Sequence, residues 1–461
     1  MNFYKQKRFW LLIAITIFLI NQLPFLTDVR PVMYDEAWYA NTAYNFSQGN
    51  GFLNSVVGSR GNSNYLLPTL TGIMFWVCGY SLFTIRLTAV LCGVVTLVLV
   101  HLCLKELKSS KLAEIAVLML FVSVAIYNTI FRFGRPECVS IMCMAGGVLF
   151  FLRYLKDNSW KNMLGLSFFT FTATIAHPYA LLFSALAGTL LLYYTYHGKK
   201  WINLAHLILL LFTAIAAIGS IAWVSYVYNG AEENYVSTRF SISNVGQALP
   251  VYFKSYFLSK HTLYMLPILL VIGASCRSKD SYVKPLALIA LVYFAIFPFL
   301  FSTDLAMVGL GGDYVMLLGT LLLAPCFDKL YVMRYKKIFG ATFGLFCLIN
   351  LGLSYYYNYV VKYEKCNTVL QQELQSIIPE DAIVYTSIRQ YPLLLKNTCF
   401  SDHYCKELPI SYDYIVLNSQ DANRYDNSVE VQKLLDSYVL IFKRETKQYG
   451  QVRVYKNITI Q

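Results

Sequence analysis

The run Tyr34-Asp35-Glu36-Ala37-Trp38-Tyr39-Ala40 puts two adjacent carboxylates about eight residues beyond the end of an apolar stretch, Phe9 to Leu26. A carboxylate held that close to a membrane surface can serve as general base on an acceptor hydroxyl, particularly where partial burial raises its pKa. The competing reading is an Asp-Glu pair in the first turn of a surface helix, where the macrodipole favours negative charge. A second group is Phe131-Arg132-Phe133-Gly134-Arg135-Pro136-Glu137, a tight turn between two apolar stretches. Pro136 suits the first position of the following helix and would set Glu137 in its first turn. Arg132 and Arg135 carry guanidinium groups, which suit phosphate, although pairing with Glu137 or with lipid headgroups would also occupy them. His177-Pro178 offers a phosphate ligand or proton donor, or a satisfied interfacial histidine. Arg60, Arg86, Arg239, Lys254 and Lys260 can form a basic rim or anchor headgroups. Tyr4, Trp38, Tyr39 and Tyr355-Tyr356-Tyr357 fit interfacial aromatic belts.

What is missing narrows the chemistry. The sequence has no Walker loop, no dinucleotide-binding glycine pattern, no metal-spaced His or Cys cluster and no Gly-x-Ser-x-Gly elbow. Chemistry driven by nucleotides on the cytoplasmic side is therefore not expected. A substrate used outside must arrive already activated, and for a membrane enzyme the simplest activated donor is itself a lipid.

The elements that hold these residues follow from composition. Of 461 residues, 57% are hydrophobic and 14% charged, and the mean hydropathy is +0.49. A bilayer core takes roughly 20 apolar residues per helix. Spans are expected near 9–26, 86–104, 112–131, 136–155, 162–177, 179–196, 202–228, 262–276, 285–302, 313–332 and 338–358, and their continuity excludes a β-barrel. Tyr65 to Phe83 is apolar enough to cross but contains Pro68, Gly72 and Gly79. Basic residues are retained on the cytoplasmic side. With 65–83 lying on the outer surface, inner loops hold 18 basic residues and outer loops 8; with 65–83 crossing, the split is 9 against 17. The expected fold is thus a polytopic α-helical membrane protein of eleven spans, N-terminus inside and C-terminus outside. Asp28, Asp35, Glu36, Glu137, Glu232, Glu233, Asp304 and Asp313 then all fall on the outer side, as do the long loops 27–85 and 229–261, so the outer face is where chemistry is expected.

The net charge of +13 is a topology signal and not a nucleic-acid footprint, because residues beyond 360 are balanced at 12 basic and 12 acidic, leaving 26 basic and 13 acidic in the membrane portion. The sequence divides into a membrane domain, 1–359, and a soluble α/β domain, 360–461. Cys366 to Ile378 reads as an amphipathic helix ended by Pro379. Ala382 to Thr386, Tyr412 to Leu417, Ser437 to Phe442 and Gln451 to Tyr455 read as strands. Cys399 and Cys405 are spaced for a disulfide in an oxidising compartment or remain two thiols, with Cys366 odd in either case.

A basic N-terminus, one span and an outer loop carrying Asp35-Glu36 followed by Trp38-Tyr39 resemble the opening of the GT-C integral-membrane glycosyltransferases, in the aminoarabinose and protein-mannosyl transferase branch. The resemblance extends along the chain, through the apolar surface segment ending at Gly79 to Arg86, the second outer turn with its carboxylate, the many spans and the C-terminal α/β domain. It implies a sugar donor linked to a polyprenyl phosphate and transfer on the periplasmic or lumenal face to a lipid, protein or glycan acceptor. A bacterial inner membrane is expected from the branch. It implies Asp35 as base, Glu36 as its support and Glu137 as the second-loop carboxylate, a position commonly Asp in relatives. At Asp313-Tyr314, where relatives often have Arg-Tyr, this chain departs, so the donor phosphate would need another cation: Arg132, Arg135, Arg239 or Lys260, in falling order, with His177 beside them. The reaction implied is direct displacement at the anomeric carbon, inverting if it takes one step. No cofactor is demanded, and a divalent ion at the carboxylates is compatible with the residues. The alternatives are a transporter or flippase of lipid-linked glycan, for which ionisable residues near mid-membrane would be expected, and a polymerase of lipid-linked repeat units.

Overall fold

A computed structural model describes residues 7–28, 30–54, 60–61, 64–196, 203–229, 245–258, 262–300, 311–331, 336–356, 366–395, 397–400, 411–419 and 435–458. The chain opens with α1 (Lys7–Gln22), α2 (Tyr34–Ser47), a short antiparallel pair β1 (Leu53–Asn54) and β2 (Arg60–Gly61), α3 (Leu66–Cys78) and α4 (Leu82–Glu106). There follow α5 (Lys111–Ser123), α6 (Ala125–Ile130), α7 (Pro136–Asp157), α8 (Trp160–Ala176), α9 (Leu181–Tyr196) and α10 (Leu204–Asn229). The membrane part ends with α11 (Val245–Phe257), α12 (Thr262–Cys276), α13 (Val283–Leu300), α14 (Gly311–Tyr331) and α15 (Lys336–Tyr355).

Among the described residues, α4, α7, α10 and α13 are long and apolar enough to cross a bilayer on their own. On α10 the apolar side chains Leu204, Phe212, Trp223 and Tyr226 are each more than half exposed, a face that suits lipid and not water. By contrast α7 is enclosed, and it meets α8 at close range. A Cβ on Gly146 would run into the Phe169 ring, and one on Gly165 into Phe150. Those two rings stack with centroids 5.6 Å apart, so the glycines are what let the two backbones approach.

Of three apolar stretches, 112–131 and the first run differ from their sequence reading, while 65–83, read as not crossing, forms a short helix. The stretch 112–131 is not one helix: it breaks at Val124, which is extended (φ −73°, ψ 130°). Ser123 Oγ donates back to the Leu120 carbonyl at 3.2 Å, one of the local bonds that compete with a helix ladder. The ambiguous stretch 65–83 forms α3, whose 13 residues reach roughly 20 Å at 1.5 Å each, short of a bilayer core. It stops at Gly79, where φ is +80°, and packs on α2 with Gly72 against Phe46 and the Ala43 carbonyl. The first apolar run ends as a helix at Gln22 and continues as turns to Asp28, leaving several carbonyls without helical partners.

The C-terminal part has α16 (Cys366–Ile377) and five strands, β3 (Ile383–Thr386), β4 (Thr398–Phe400), β5 (Tyr414–Asn418), β6 (Tyr438–Thr446) and β7 (Gly450–Asn457). They form one mixed sheet in the order β4-β3-β5-β7-β6, with β3 parallel to β4 and β5, and β7 antiparallel to β5 and β6. Strand β4, three residues long, is an edge that the sequence did not announce. Cys399 within it is a buried free thiol whose Sγ faces the Leu394 carbonyl, and burial pushes its pKa well up; Cys405 lies outside the described residues.

A single apolar cluster joins this sheet to the first loop. Ala37, Ala40 and Ala43 of α2, with Phe75 and Ile85, share a buried core with Leu370 and Leu374 of α16, Tyr391, Val416, Val452 and Val454. The alanines recur every three residues, which lines one helix face, and that face is covered by residues more than 300 positions away. This cluster extends across position 359/360, while most of the membrane helices pack around a separate core.

Candidate active site

Because α2 opens at Tyr34, Asp35 and Glu36 both lie in its first turn. Adjacent helical residues point about 100° apart, and the two carboxylates accordingly have different fates. Glu36 is fully buried. Its Oε1 accepts from Arg86 Nε at 2.8 Å and its Oε2 from Arg86 Nη2 at 2.9 Å, the bidentate geometry that a planar guanidinium favours. Backbone N–H groups of Gly134 (3.2 Å) and Met33 (3.3 Å) complete its shell. Arg86 spends its remaining donors on carbonyls of the loop between α1 and α2: Leu26 at 2.8 Å, Thr27 at 3.3 Å, Arg30 at 3.2 Å and Pro31 at 3.2 Å. It is not part of a basic rim. The pair is a clasp that ties α4 to the first turn of α2 and to the loop leading into it.

Asp35 faces open space, its side chain about a third exposed. Its Oδ2 stands 3.0 Å from Arg135 Nη2, and the same nitrogen lies 2.8 Å from Glu137 Oε1. One guanidinium thus bridges two carboxylates from different turns of the chain. Pro136 opens α7 and Arg135 is its extended N-cap residue, so Glu137 enters the first helical turn with only its Oε1 edge reaching the bridge. Burial opposes the charge on Arg135, but Glu137, Asp35 and Asp313 hold its pKa above the usual value. Asp313, in the first turn of α14, is therefore a third carboxylate within electrostatic reach. Tyr256 seats that turn by accepting the Gly312 N–H at 2.6 Å.

The turn Arg132–Arg135 docks residue by residue onto the first loop. Arg132 is buried and donates to the carbonyls of Asn21 (3.2 Å), Pro24 (2.9 Å) and Phe25 (3.3 Å), the groups left over where α1 ends. Phe133 lies under the Arg86 guanidinium, 5.2 Å from ring centre. A Cβ on Gly134 would run into Ile85, so only glycine lets the turn settle where its N–H meets Glu36. Of the arginines read from the sequence as phosphate ligands, the structure brings Arg135 to Asp35 and Glu137, and commits Arg132 to the end of α1.

His177 is buried at the C-terminal cap of α8, its ring 4.3 Å from that of Tyr179 and 6.3 Å from that of Tyr314. Tyr314 donates to Ser140 Oγ at 3.2 Å. His177 thus sits behind the first turn of α14 and not on the Asp35–Arg135 bridge. Arg239 and Lys260 lie outside the described residues. Among the described residues no group of three His, Cys, Asp or Glu side chains is arranged to hold a metal ion.

Two features of the site were beyond sequence reasoning. The clasp partner Arg86 has no local signal, being 50 residues from Glu36. Asp313 was visible as an outer acidic residue, but its convergence with Glu137 and Arg135 comes from the packing of α14.

Residues 65–223 match the family described as dolichyl-phosphate-mannose-protein mannosyltransferase. No curated protein matches the sequence. Among solved structures, ArnT from Cupriavidus metallidurans bound to undecaprenyl phosphate is similar with a TM-score of 0.66 and 13% identity, over 98% of this chain and 98% of that one. The apo state of the same protein gives 0.65 and 10%, over 98% and 97%. The oligosaccharyltransferase of Archaeoglobus fulgidus, in complex with Zn and sulfate, gives 0.55 and 12%, over 97% of this chain and 73% of that one.

Proposed function

We propose, for a chain that has the GT-C membrane-glycosyltransferase fold, that it moves a sugar from a polyprenyl-phosphate carrier to an acceptor hydroxyl on the periplasmic face of a bacterial inner membrane. The observation that carries this reading is the bridge itself, an accessible Asp35 carboxylate held by Arg135 against the buried Glu137. The similarity to an ArnT structure bound to undecaprenyl phosphate supports the donor class.

In this reading Asp35 takes the proton of the acceptor hydroxyl through the oxygen not engaged by Arg135. The acceptor oxygen then forms its bond to the anomeric carbon as the bond to the phosphate oxygen breaks, and the electron pair leaves with the polyprenyl phosphate. One such step inverts the anomeric centre. Arg135 is the cation paired with the base, and a preorganised guanidinium is suited to the charge that develops on the leaving phosphate. Eleven spans, with the N-terminus inside and the C-terminal sheet outside, put these groups at the outer surface.

The test is transfer of radiolabelled sugar from a panel of polyprenyl-phosphate sugars into native membrane extract, run with and without a chelator to register any divalent ion. Wild type is expected to label a new product. With Arg135→Gln, kcat is expected to fall by about 10²–10³, the usual cost of removing one preorganised donor from a developing anion. Lipid-linked glycan changing leaflets in proteoliposomes, with no transfer from any donor, would instead support a transporter.

A further inference from the structure

In the segment between α1 and α2, backbone groups near Asp35 are satisfied by side chains from far along the chain. Beyond the Arg86 clasp, Asn367 Nδ2 donates to the carbonyls of Thr27 at 2.6 Å and Arg30 at 3.0 Å. Tyr449 accepts the Val32 N–H at 2.9 Å and donates its hydroxyl hydrogen to Asn367 Oδ1 at 2.7 Å. The contact is reciprocal, because Asp28 accepts from the Thr368 N–H at 2.9 Å and from its hydroxyl at 2.7 Å, anchoring the start of α16.

Tyr449 is fully buried although it sits in the tight turn between β6 and β7, a place where side chains usually meet water. Gly450 beside it has φ +63°, and Thr446 Oγ1 accepts the Tyr449 N–H at 3.0 Å. The turn is built to drive one ring inward beneath Val32, three residues before Asp35. A buried N–H without a partner is costly, so the hydroxyl and not merely the ring decides where Val32 rests.

We propose that the turn between β6 and β7 is a positioning device for the catalytic loop, in which Tyr449 and Asn367 fix the backbone before α2 and thereby the distance from Asp35 to the reacting acceptor. This rests on the role given to Asp35 above, and it makes the C-terminal sheet a working part of the active site. A base displaced by about 1 Å costs up to 10²-fold in rate with little effect on substrate binding.

The experiment uses the full chain in lipid nanodiscs, with two readouts: transfer kinetics, and hydrogen–deuterium exchange of peptides covering residues 26–36. Tyr449→Phe keeps the ring and removes the hydroxyl. Its kcat is expected to fall about 10- to 100-fold with donor KM unchanged, and exchange in 26–36 to rise. Asn367→Ala is expected to do the same, which keeps the test available should one variant fail to fold. Since the two residues share one bond, the double variant is expected to lose less than the product of the two losses. Gln451→Ala, in the same hairpin but bonded to Glu445 and not to the loop, is expected to match wild type. Faster exchange with wild-type kcat would make the turn an anchor without a positioning role and overturn the proposal. Unchanged exchange in both single variants would overturn it as well. If wild type transfers sugar from no donor, the glycosyltransferase reading falls and the catalytic role of the turn falls with it, while exchange separately decides whether the turn holds the loop.

Discussion

Asp35→Asn is expected to lower turnover on the order of 10²–10⁴-fold, the range that follows loss of a positioned general base, while donor KM and thermal stability stay near wild type. The stability expectation follows from the site. Asp35 is about a third exposed and contributes one oxygen to Arg135, and an exposed ion pair is worth roughly 0.2–1 kcal/mol. Arg135 keeps Glu137 as partner, so no buried charge is stranded. Asparagine also has the shape of aspartate and can remain in the first turn of α2, at a cost of about 0.3–1 kcal/mol for the lost interaction of a carboxylate with the helix dipole. Kinetics in nanodiscs beside a melting curve separate the two effects. A well-folded Asp35→Asn protein that transfers sugar at the wild-type rate would remove Asp35 from the role of base, and a melting point lowered as far as the rate would make the loss structural.

How far the site was legible in the sequence is clearest from neighbouring residues. The acidic pair stood out because a short stretch separates it from an apolar run, but its division of labour did not, since Asp35 and Glu36 are chemically alike. What separates them is the helical turn between successive side chains and a guanidinium 50 residues on. Arg132 and Arg135 present the same difficulty three residues apart: one caps the end of α1 and the other bridges two carboxylates. Arg86 reads as interfacial because a charge at the edge of an apolar run normally snorkels, and only the fold shows it fully buried. Strands of the C-terminal sheet were visible through runs such as Tyr414–Asn418, whose content is β-branched and aromatic, whereas Thr398–Phe400 is too short to carry a pattern. The alanine face of α2 has a readable period, but a period names a face and not its partner. The shared core with α16 and the sheet is long-range information, as is every bond made by Tyr449.

Arg86→Met is expected to be the most destabilising single change around Asp35, on the order of 3–5 kcal/mol, because it strands the carboxylate of Glu36 in a fully buried site. The methionine preserves helical propensity and apolar bulk within α4, so the loss belongs to the guanidinium. Two backbone N–H groups from Gly134 and Met33 would remain to Glu36, too little to solvate an ion there. At the same time the carbonyls of Leu26 and Pro31 lose the donor that the structure gives them. The reciprocal variant is expected to be milder. Glu36→Gln leaves Arg86 facing the same loop carbonyls and still offers an oxygen to it, so the charge keeps a hydrogen-bonded shell. Combining Arg86→Met with Glu36→Gln removes the stranded ion and is expected to recover part of the loss, but not all, since the loop carbonyls stay unmatched. The expected order of thermal stability in nanodiscs is therefore wild type, Glu36→Gln, the double variant and Arg86→Met. Equal destabilisation by the two single changes would mean that the carbonyl bonds of Arg86 contribute nothing beyond the ion pair. Stability of Arg86→Met at the wild-type level would dismiss the clasp altogether, and with it the reason that Asp35 stands where Arg135 can reach it.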